Sequence, residues 1–542
     1  MEAFGAPMLS APMLLPAGFN TVALLARIRM ASAGYTTAPD DDPSDTLYRP
    51  RLYGDIEVSQ SAVDAAGIGG RVALGIAEFE AANTDRALDA AITRGVADGR
   101  AAWVRVAPVT DAQAGNFGAA LGGAVLAFKG IVQRVEGAAN QRARIAITDA
   151  SERLATPLQN ERFAGTGGLD GPATLAGRPK PVALGFRFNV TPVPIGNIDL
   201  GDGALPTYSV HWRAVQEITM VRIRGVEQVA VTGTAPGVGE FREWPGNGVF
   251  QIGSTPDGAV TCDVEGDNVG GYVSSSSGVI RRLVQSIGPR LADNELQISS
   301  FDFAETDLPG AVGFWQGADE TTAAAAIDTL LAGSGAILCG ARDGTLRLVD
   351  PLAEGSAQFT LDVGNILELA PVAMPAALRP LPREVTIDWA PNATRLTDLA
   401  GAVSDADRVA LTGSASGPAR AASAGIETRV AQHREMRLPG LYGAEADATT
   451  RAERWRSFFE AAPRVVQMTT DRYLGQIEIG DLGAIAYPAY GLENGVGVVV
   501  LGWSEQLAGR RLTLTVVTVP WVTPMAPAVA GVFFVLDVDP LA

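Results

Sequence analysis

The chain has 542 residues, too many for one hydrophobic core, so it should divide into roughly three to five domains. Its net charge of −18, from 42 Lys and Arg against 60 Asp and Glu, is spread along the sequence and leaves no basic face to neutralise phosphates. That argues against nucleic-acid and anionic-membrane binding. The two cysteines, Cys262 and Cys339, exclude a disulfide framework and a four-Cys metal or cluster site; they are expected in the core of a protein assembled in a reducing cytoplasm.

Residues 1–20 are apolar but lack a basic leader segment and are interrupted by Pro7, Pro12 and Pro16, so they read as an extended arm packing on a neighbouring subunit and not as a signal peptide. No apolar run in the chain reaches the ~20 residues that span a bilayer. From 21 to 150 the pattern has period two, with strands expected at 22–30, 71–79, 103–106, 125–135 and 144–148 and one short helix at 84–92. These strands predict a small antiparallel barrel. A Gly/Ala-rich stretch at 111–123 lengthens one loop. Gly165, Gly167, Gly168 and Gly171, followed by Pro172, Pro179 and Pro181, mark a crossover between domains and close the first unit, 21–185.

A β-rich unit is expected over 186–253, with strands at 218–224 and 229–232. An inserted α+β unit follows over 254–370. It should hold a strand at 259–264, a helix capped near Ser276 or Ser277 with Ile280, Leu283, Val284 and Ile287 on one face, a second helix at 319–332 ending at Gly333, and a hairpin turning at Asp343-Gly344. The proline-rich 371–382 reads as a linker and 392–424 as a polar, Gly/Ala/Ser-rich section. The helix at 447–461 places Ala448, Ala452, Trp455 and Phe459 at helical spacing. Strands at 465–468, 474–479, 483–487, 496–503 and 511–518 complete the unit 371–520 as a second barrel, and 521–542, with Val532-Phe-Phe-Val-Leu536, reads as a second extended arm. The fold class is therefore mainly β with an α+β insert: two small antiparallel barrels plus inserted domains.

Enzymatic chemistry has little to stand on. Only His211 and His433 are present; a strand or turn role suits the first and solvent the second. The sequence has no His-Glu-x-x-His, no Gly-x-Ser-x-Gly and no phosphate loop. Asp263, Glu265 and Asp267, or Asp319 with Glu320, could form a glycosidase pair, but in a chain with 60 acids such spacing arises by chance. Asp40-Asp-Asp-Pro43 lacks the spaced ligands of a calcium loop and reads as a solvated turn. Asn392-Ala-Thr394 matches a glycosylation sequon that a cytosolic product would not use. No catalytic, cofactor-binding or metal-binding residue is assigned.

Several motifs, taken in order, carry a resemblance: Ala33-Gly-Tyr35, Tyr48-Arg-Pro-Arg51, Ile76-Ala-Glu-Phe79, Asp98-Gly-Arg100, Phe128-Lys-Gly130, the 161–181 crossover, Leu399 to Asp407, Ile479-Gly-Asp-Leu-Gly483, Tyr487 to Leu492 and Arg510 to Leu514. The chain resembles the tail hub (baseplate hub, tail tip) proteins of tailed bacteriophages, prophages and gene transfer agents over most of 22–518. The resemblance implies a structural protein of the virion, assembled in the host cytoplasm. Three copies would form a ring of six barrels that adapts a sixfold tail tube to threefold tip components and lines the DNA conduit. Implied partners are the distal tail protein, the tape-measure protein and tail fibre or tip proteins, with no stable DNA binding. Two other classes compete with it: a tail-associated peptidoglycan hydrolase, which needs a two-carboxylate centre, and a receptor-binding adhesin, which needs an export signal.

Overall fold

The structure, a computed structural model, describes residues 2–3, 28–31, 35–41, 44–54, 56–64, 67–72, 77–95, 97–106, 125–201, 203–308, 310–414, 417–472, 475–507 and 509–523. The expected loop at 111–123 and all of both arms except 2–3 and 521–523 lie outside these residues. The chain is mainly β, with curled half-barrel sheets and several domains.

Period-two alternation in the first region builds a nine-stranded sheet, in the order Tyr35–Thr36, Leu47–Pro50, Ile28–Ala31, Glu2–Ala3, Ala101–Val106, Val125–Ala138, Arg142–Thr148, Ala77–Ala82 and Leu52–Tyr53. Phe79, Val104, Phe128, Val132 and Ile145 are buried, while Glu78, Glu80, Arg134, Arg142 and Arg144 form a cross-strand ion ladder on the solvent face. The short helix is Asp89–Arg94, later than expected because Asn83 and Asp85 first build a turn, Asn83 accepting from Leu88 N at 2.8 Å.

The second region is a sandwich of two five-stranded sheets. Val190, Val221, Cys262 and Val264 of one sheet meet Tyr208, Phe241, Phe250 and Ile252 of the other, with the Tyr208 and Phe250 rings stacked at 5.3 Å. The Gly/Pro-rich 161–181 is folded, not merely spanning: Phe163 and Leu175 pack with Val193, Ile195 and Val249 along the sandwich edge. Gly165 is needed there, since its φ is +73° and a Cβ would lie 2.6 Å from that of Ala176.

The insert has helices Ser276–Arg282, capped by the Ser275 hydroxyl and continued by a π turn at Leu283–Ile287; Ile298–Asp307; and Ala323–Ser334. The last begins at its Thr322 cap, not at 319, and ends at left-handed Gly335; Gly333 is instead inside the helix, pressed against Gly440. The helix Ile298–Asp307 had no place in the sequence reading. The expected hairpin is Ile337–Gly340 with Leu346–Val349, and Gly70–Val72 adds to it in parallel.

The C-terminal sheet runs Phe359–Asp362, Leu482–Ala486, Val496–Gln506, Arg511–Thr518, Val465–Thr470 and Ile366–Val372. Val496–Gln506 is buried along nearly its whole length, whereas Arg511–Thr518 alternates over its first half and is buried at its end. No strand forms at 475–479, where a turn places Ile477 and Ile479 in the core. The 371–382 stretch is only partly a connector: the edge strand runs on through Pro371 to Val372, Met374 and Leu378 are buried, and Pro382 opens the strand Pro382–Trp389. Within 392–424 lie the helix Asp405–Thr412 and the strand Gly417–Ala422, which joins Pro382–Trp389 and Arg434–Tyr442 under the helix Glu445–Glu460. On that helix Ala448, Ala452, Trp455 and Phe459 are buried, as is Phe458.

One pairing unites the two ends of the chain. Glu57–Ser61, from the first region, is a strand of the C-terminal sheet, antiparallel to Val496–Gln506 with Ser61 opposite Gly502 and Glu57 opposite Gln506. Among the described residues no helix is long and apolar enough to cross a membrane.

Candidate functional site

The acids singled out from the sequence are occupied structurally. Asp263, Glu265 and Asp267 alternate along Val260–Asp267 and so share a face. Asp263 takes a bidentate pair from Arg222 at 2.7 and 2.8 Å and the backbone N–H of Asn189 at 2.8 Å. Asp267, fully buried, accepts from Arg213, from Arg282 at 3.1 Å and from Val269 N at 2.9 Å. Burial pushes its carboxyl up, but these donors, Arg213 first, outweigh it and hold it below the usual carboxylate range. Glu265 is half-buried between them. Carboxylates whose oxygens are both taken up by arginine donors are not free to act as a general acid or a nucleophile. Asp319 and Glu320 are exposed and pair with Arg178 and Arg162.

His211 is completely buried, and its Nδ1 accepts from Ala183 N at 3.2 Å. Burial lowers its pKa to about 3, so the ring is neutral near pH 7. His433 is exposed. Both thiols are buried, which raises Cys262 well above its ordinary value and Cys339 to about 12 and leaves them poor nucleophiles. Asp41 caps its own turn, accepting from Ala38 N at 2.7 Å. Asn392 caps the end of Asp405–Thr412 by donating to Ala410, Leu411 and Gly413 carbonyls at 3.1, 2.8 and 3.1 Å, so its amide is committed inside the fold. No group of three or more His, Cys, Asp or Glu able to hold a metal occurs among the described residues.

The polar centre that organises the molecule lies elsewhere, at Arg342 in the turn of the 337–349 hairpin. Its guanidinium donates to Glu505 at 2.6 Å, to the Ala127 carbonyl at 3.1 Å and to the Ile477 carbonyl at 3.1 Å, and lies over the Trp503 ring at 3.7 Å from the centroid. Lys129 N donates to the Arg342 carbonyl at 2.7 Å. One residue of the insert thus touches both curled sheets. Arg342 and Glu505 are nearly inaccessible; burial lowers the arginine's pKa, and the carboxylate opposes that shift. Beside it Gln60, on the strand Glu57–Ser61, donates to the Gly340 carbonyl at 2.8 Å and to Asp149 at 3.3 Å. Arg347 pairs with Asp481 at 2.7 Å, and burial raises the neighbouring Glu478 carboxyl even with Arg347 at 3.7 Å. A second tie is Arg451, bidentate to Asp350 at 2.8 Å in both arms and donating to the Ser334 carbonyl at 2.6 Å.

None of these ties was visible in the sequence reading. Arg342 is 163 positions from Glu505, and nothing local distinguishes it from a turn arginine. The available signal was Trp503 and Glu505 two apart on one strand, which puts a ring and a carboxylate on the same buried face.

These ties hold the 337–349 hairpin against both curled sheets. No family model matches the chain, and neither does any curated protein. Solved structures with a related outline are phage and prophage tail proteins and a gene transfer agent particle. The 43 kDa tail protein of a prophage from Shewanella oneidensis is 11% identical over 88% of this chain and 97% of its own, with a TM-score of 0.34. A tail protein from Neisseria meningitidis is 10% identical, covering 88% and 95%, with a TM-score of 0.35. A chain of a native gene transfer agent virion is 13% identical, covering 65% and 87%, with a TM-score of 0.39. Superpositions this loose carry no functional argument.

Proposed function

We propose that the chain is a structural hub protein of a phage-type tail tip or baseplate. In this reading three copies close a ring, and the two curled sheets of each copy supply six barrel-like units that adapt a sixfold tail tube to threefold tip components and line the DNA conduit. The distal tail protein, the tape-measure protein and fibre or tip proteins are its partners. The reading rests on the ordered motifs of 22–518. The observation that supports it most is the pairing of Glu57–Ser61 with Val496–Gln506, beside the Arg342–Glu505 tie, which joins the first region to the C-terminal sheet as a ring subunit built from two sheets requires. A non-enzymatic role is favoured by the arginine pairs on Asp263 and Asp267. A net charge of −18 suits a conduit wall past which a polyanion slides, since no counterion release drives binding.

Symmetry-averaged imaging of assembled particles tests the ring: three copies are expected, and a closed sixfold ring of this chain overturns it. Purified protein should neither clear peptidoglycan nor retard duplex DNA at physiological salt. Clearing abolished by Glu265→Gln would establish the hydrolase instead.

A further inference from the structure

Sheet edges decide what a β protein pairs with, because an unpaired strand is a template for another. Several edges here are short or guarded. Tyr35–Thr36, Leu52–Tyr53, Val226–Glu227 and Val229–Ala230 are 2 residues long. Gly417–Ala422 and Arg434–Tyr442 carry Pro418, Arg420, Arg437 and Pro439.

Ile366–Val372 is unlike these. It is 7 residues long, ends the C-terminal sheet and pairs with Val465–Thr470, and its backbone bonds to no other described residue. Leu367 is 58% exposed and Val372 40%. On the core side Ile366 and Leu369 keep 8% and 9% of their surface, whereas Leu512, Leu514 and Val516 inside the sheet keep none, so the rim of the core lies along this edge.

The sequence holds a run suited to cover it. Residues 524–536 carry no charge, in a chain with 19% charged residues, and finish in Val532-Phe-Phe-Val-Leu536 before Asp537 and Pro540. β-Branched and aromatic residues favour a strand, which would set Val532, Phe534 and Leu536 on one face and Phe533 and Val535 on the other. Both faces are apolar. That suits a strand with one face on the rim at Ile366 and Leu369 and the other beside Leu367 and Val372. Glu368, exposed on the same edge, repels acidic segments and is indifferent to an uncharged one.

Position selects this run over a separate partner. Thr523, the last described residue, lies opposite Ser356 in a parallel pair, and Ile366 follows ten positions after Ser356. Those ten steps include a folded turn, with Asn365 N donating to the Asp362 carbonyl at 3.0 Å, so the gap is shorter than their extended length. The nine steps from Thr523 to Val532 reach up to about 30 Å, enough to bridge it. A segment tethered this closely meets its own edge at an effective concentration of roughly millimolar order. We propose that residues 532–536 add as a strand to the free side of Ile366–Val372 in the same chain and complete the C-terminal sheet. Pro371 lacks a donor, so the ladder runs along 366–370. The pairing does not depend on the ring reading.

Hydrogen exchange of the full chain tests it. Every amide of 366–370 should be protected, and Phe533→Asp with Phe534→Asp should speed their exchange about tenfold or more while 511–518 stays unchanged. Unprotected amides at 366–370 in the unaltered chain, or protection that the double variant leaves intact, overturn the pairing. Where 511–518 speeds up as well, a cross-link decides. Glu368→Cys with Asp537→Cys is joined by a flexible bis-maleimide, and the buried Cys262 and Cys339 give the background. In a mixture of light and isotope-heavy chains, 368–537 cross-links are expected within light and within heavy chains only. Light–heavy cross-links would assign the segment to a second copy, and no cross-link at all would leave the edge without this occupant; either result overturns the proposal.

Discussion

Two buried arginine–carboxylate pairs, one bidentate and one made through a single hydrogen bond, hold this molecule in different ways. Arg222 and Asp263 lie on strands that are already hydrogen-bonded neighbours, Val215–Ile223 and Val260–Asp267, so the pair reinforces contacts the sheet makes anyway. Arg342 and Glu505 belong to elements 163 residues apart, and the same arginine reaches Ala127 of the first sheet. The first pair stiffens one sheet; the second fastens three parts of the chain. Buried pairs cost desolvation, so their value here lies less in net stability than in fixing one arrangement of parts.

The largest expected effect separates the two. Removing one partner strands a buried charge, at about 3–5 kcal/mol in either pair. Arg222→Ala should loosen the sandwich, raising amide exchange at 215–223 and 260–267 while 57–61 stays protected. Glu505→Ala should instead raise exchange together in 57–61, 496–506 and the 337–349 hairpin, and split the denaturant transition. Arg342→Met with Glu505→Leu should recover most of the lost stability, because no charge is then left unpaired. Local exchange changes confined to the hairpin in Glu505→Ala would show that Arg342 is not the fastening.

Next comes apolar packing on the helix Glu445–Glu460. The Trp455 ring stacks on Phe459 at 5.8 Å, meets Phe458 edge-on at 5.6 Å, and presses on Gly335, where a Cβ would lie 2.4 Å from it. Trp455→Ala or Phe459→Ala should cost about 3–5 kcal/mol. Glu453→Ala on the exposed face should change stability by no more than about 0.5 kcal/mol. Urea midpoints of the three variants check this, and equal small shifts would mean the helix is not packed as described.

That helix was legible because its signal is local: apolar residues three and four apart. The 337–349 hairpin was legible for the same reason, through Asp343-Gly344 between two apolar runs. The junction was not. Whether Arg342 meets water or Glu505 depends on where a strand 163 positions away lies, and no periodicity reports that. Glu57–Ser61 escaped notice because a strand lent to a sheet more than 400 positions away looks like any short polar strand. The stretch 475–479 misled in the other direction, since its alternating Ile477 and Ile479 are buried by a turn and not by a ladder. As for chemistry, the sequence offered Asp263, Glu265 and Asp267 only as closely spaced carboxylates, and the arginines that occupy two of them come from another strand, a loop and a helix.

A smaller effect depends on pH. Unfolded His211 takes up a proton near 6.5, whereas burial holds the folded ring neutral down to about 3. Unfolding therefore binds a proton throughout that window, and stability should fall as pH drops through it, by up to about 1.4 kcal/mol per pH unit. Asp267, held low, adds acid lability only further down, below its ordinary 3.8. His211→Gln keeps an acceptor for Ala183 N without titrating. Its stability should be flat from pH 6.5 to about 4.5, where the carboxylates begin to protonate. Parallel pH profiles for the two proteins would place the acid-sensitive group elsewhere.

The smallest effect belongs to the ion ladder on the outer face of the first sheet, where Arg134 meets Glu78 at 2.8 Å and Arg142 meets Glu80 at 2.8 Å. These distances match those of the buried pairs, yet each partner is a third or more exposed, so water and salt screen the attraction and ordering two long side chains offsets much of it. Arg134→Ala should cost less than about 1 kcal/mol, and raising the salt concentration should erase the difference from the unaltered protein. The Glu505→Ala deficit, set by a charge that solvent ions cannot approach, should persist in the same salt series. Equal salt sensitivity in the two variants would mean that the junction is open to solvent and does not fasten the sheets.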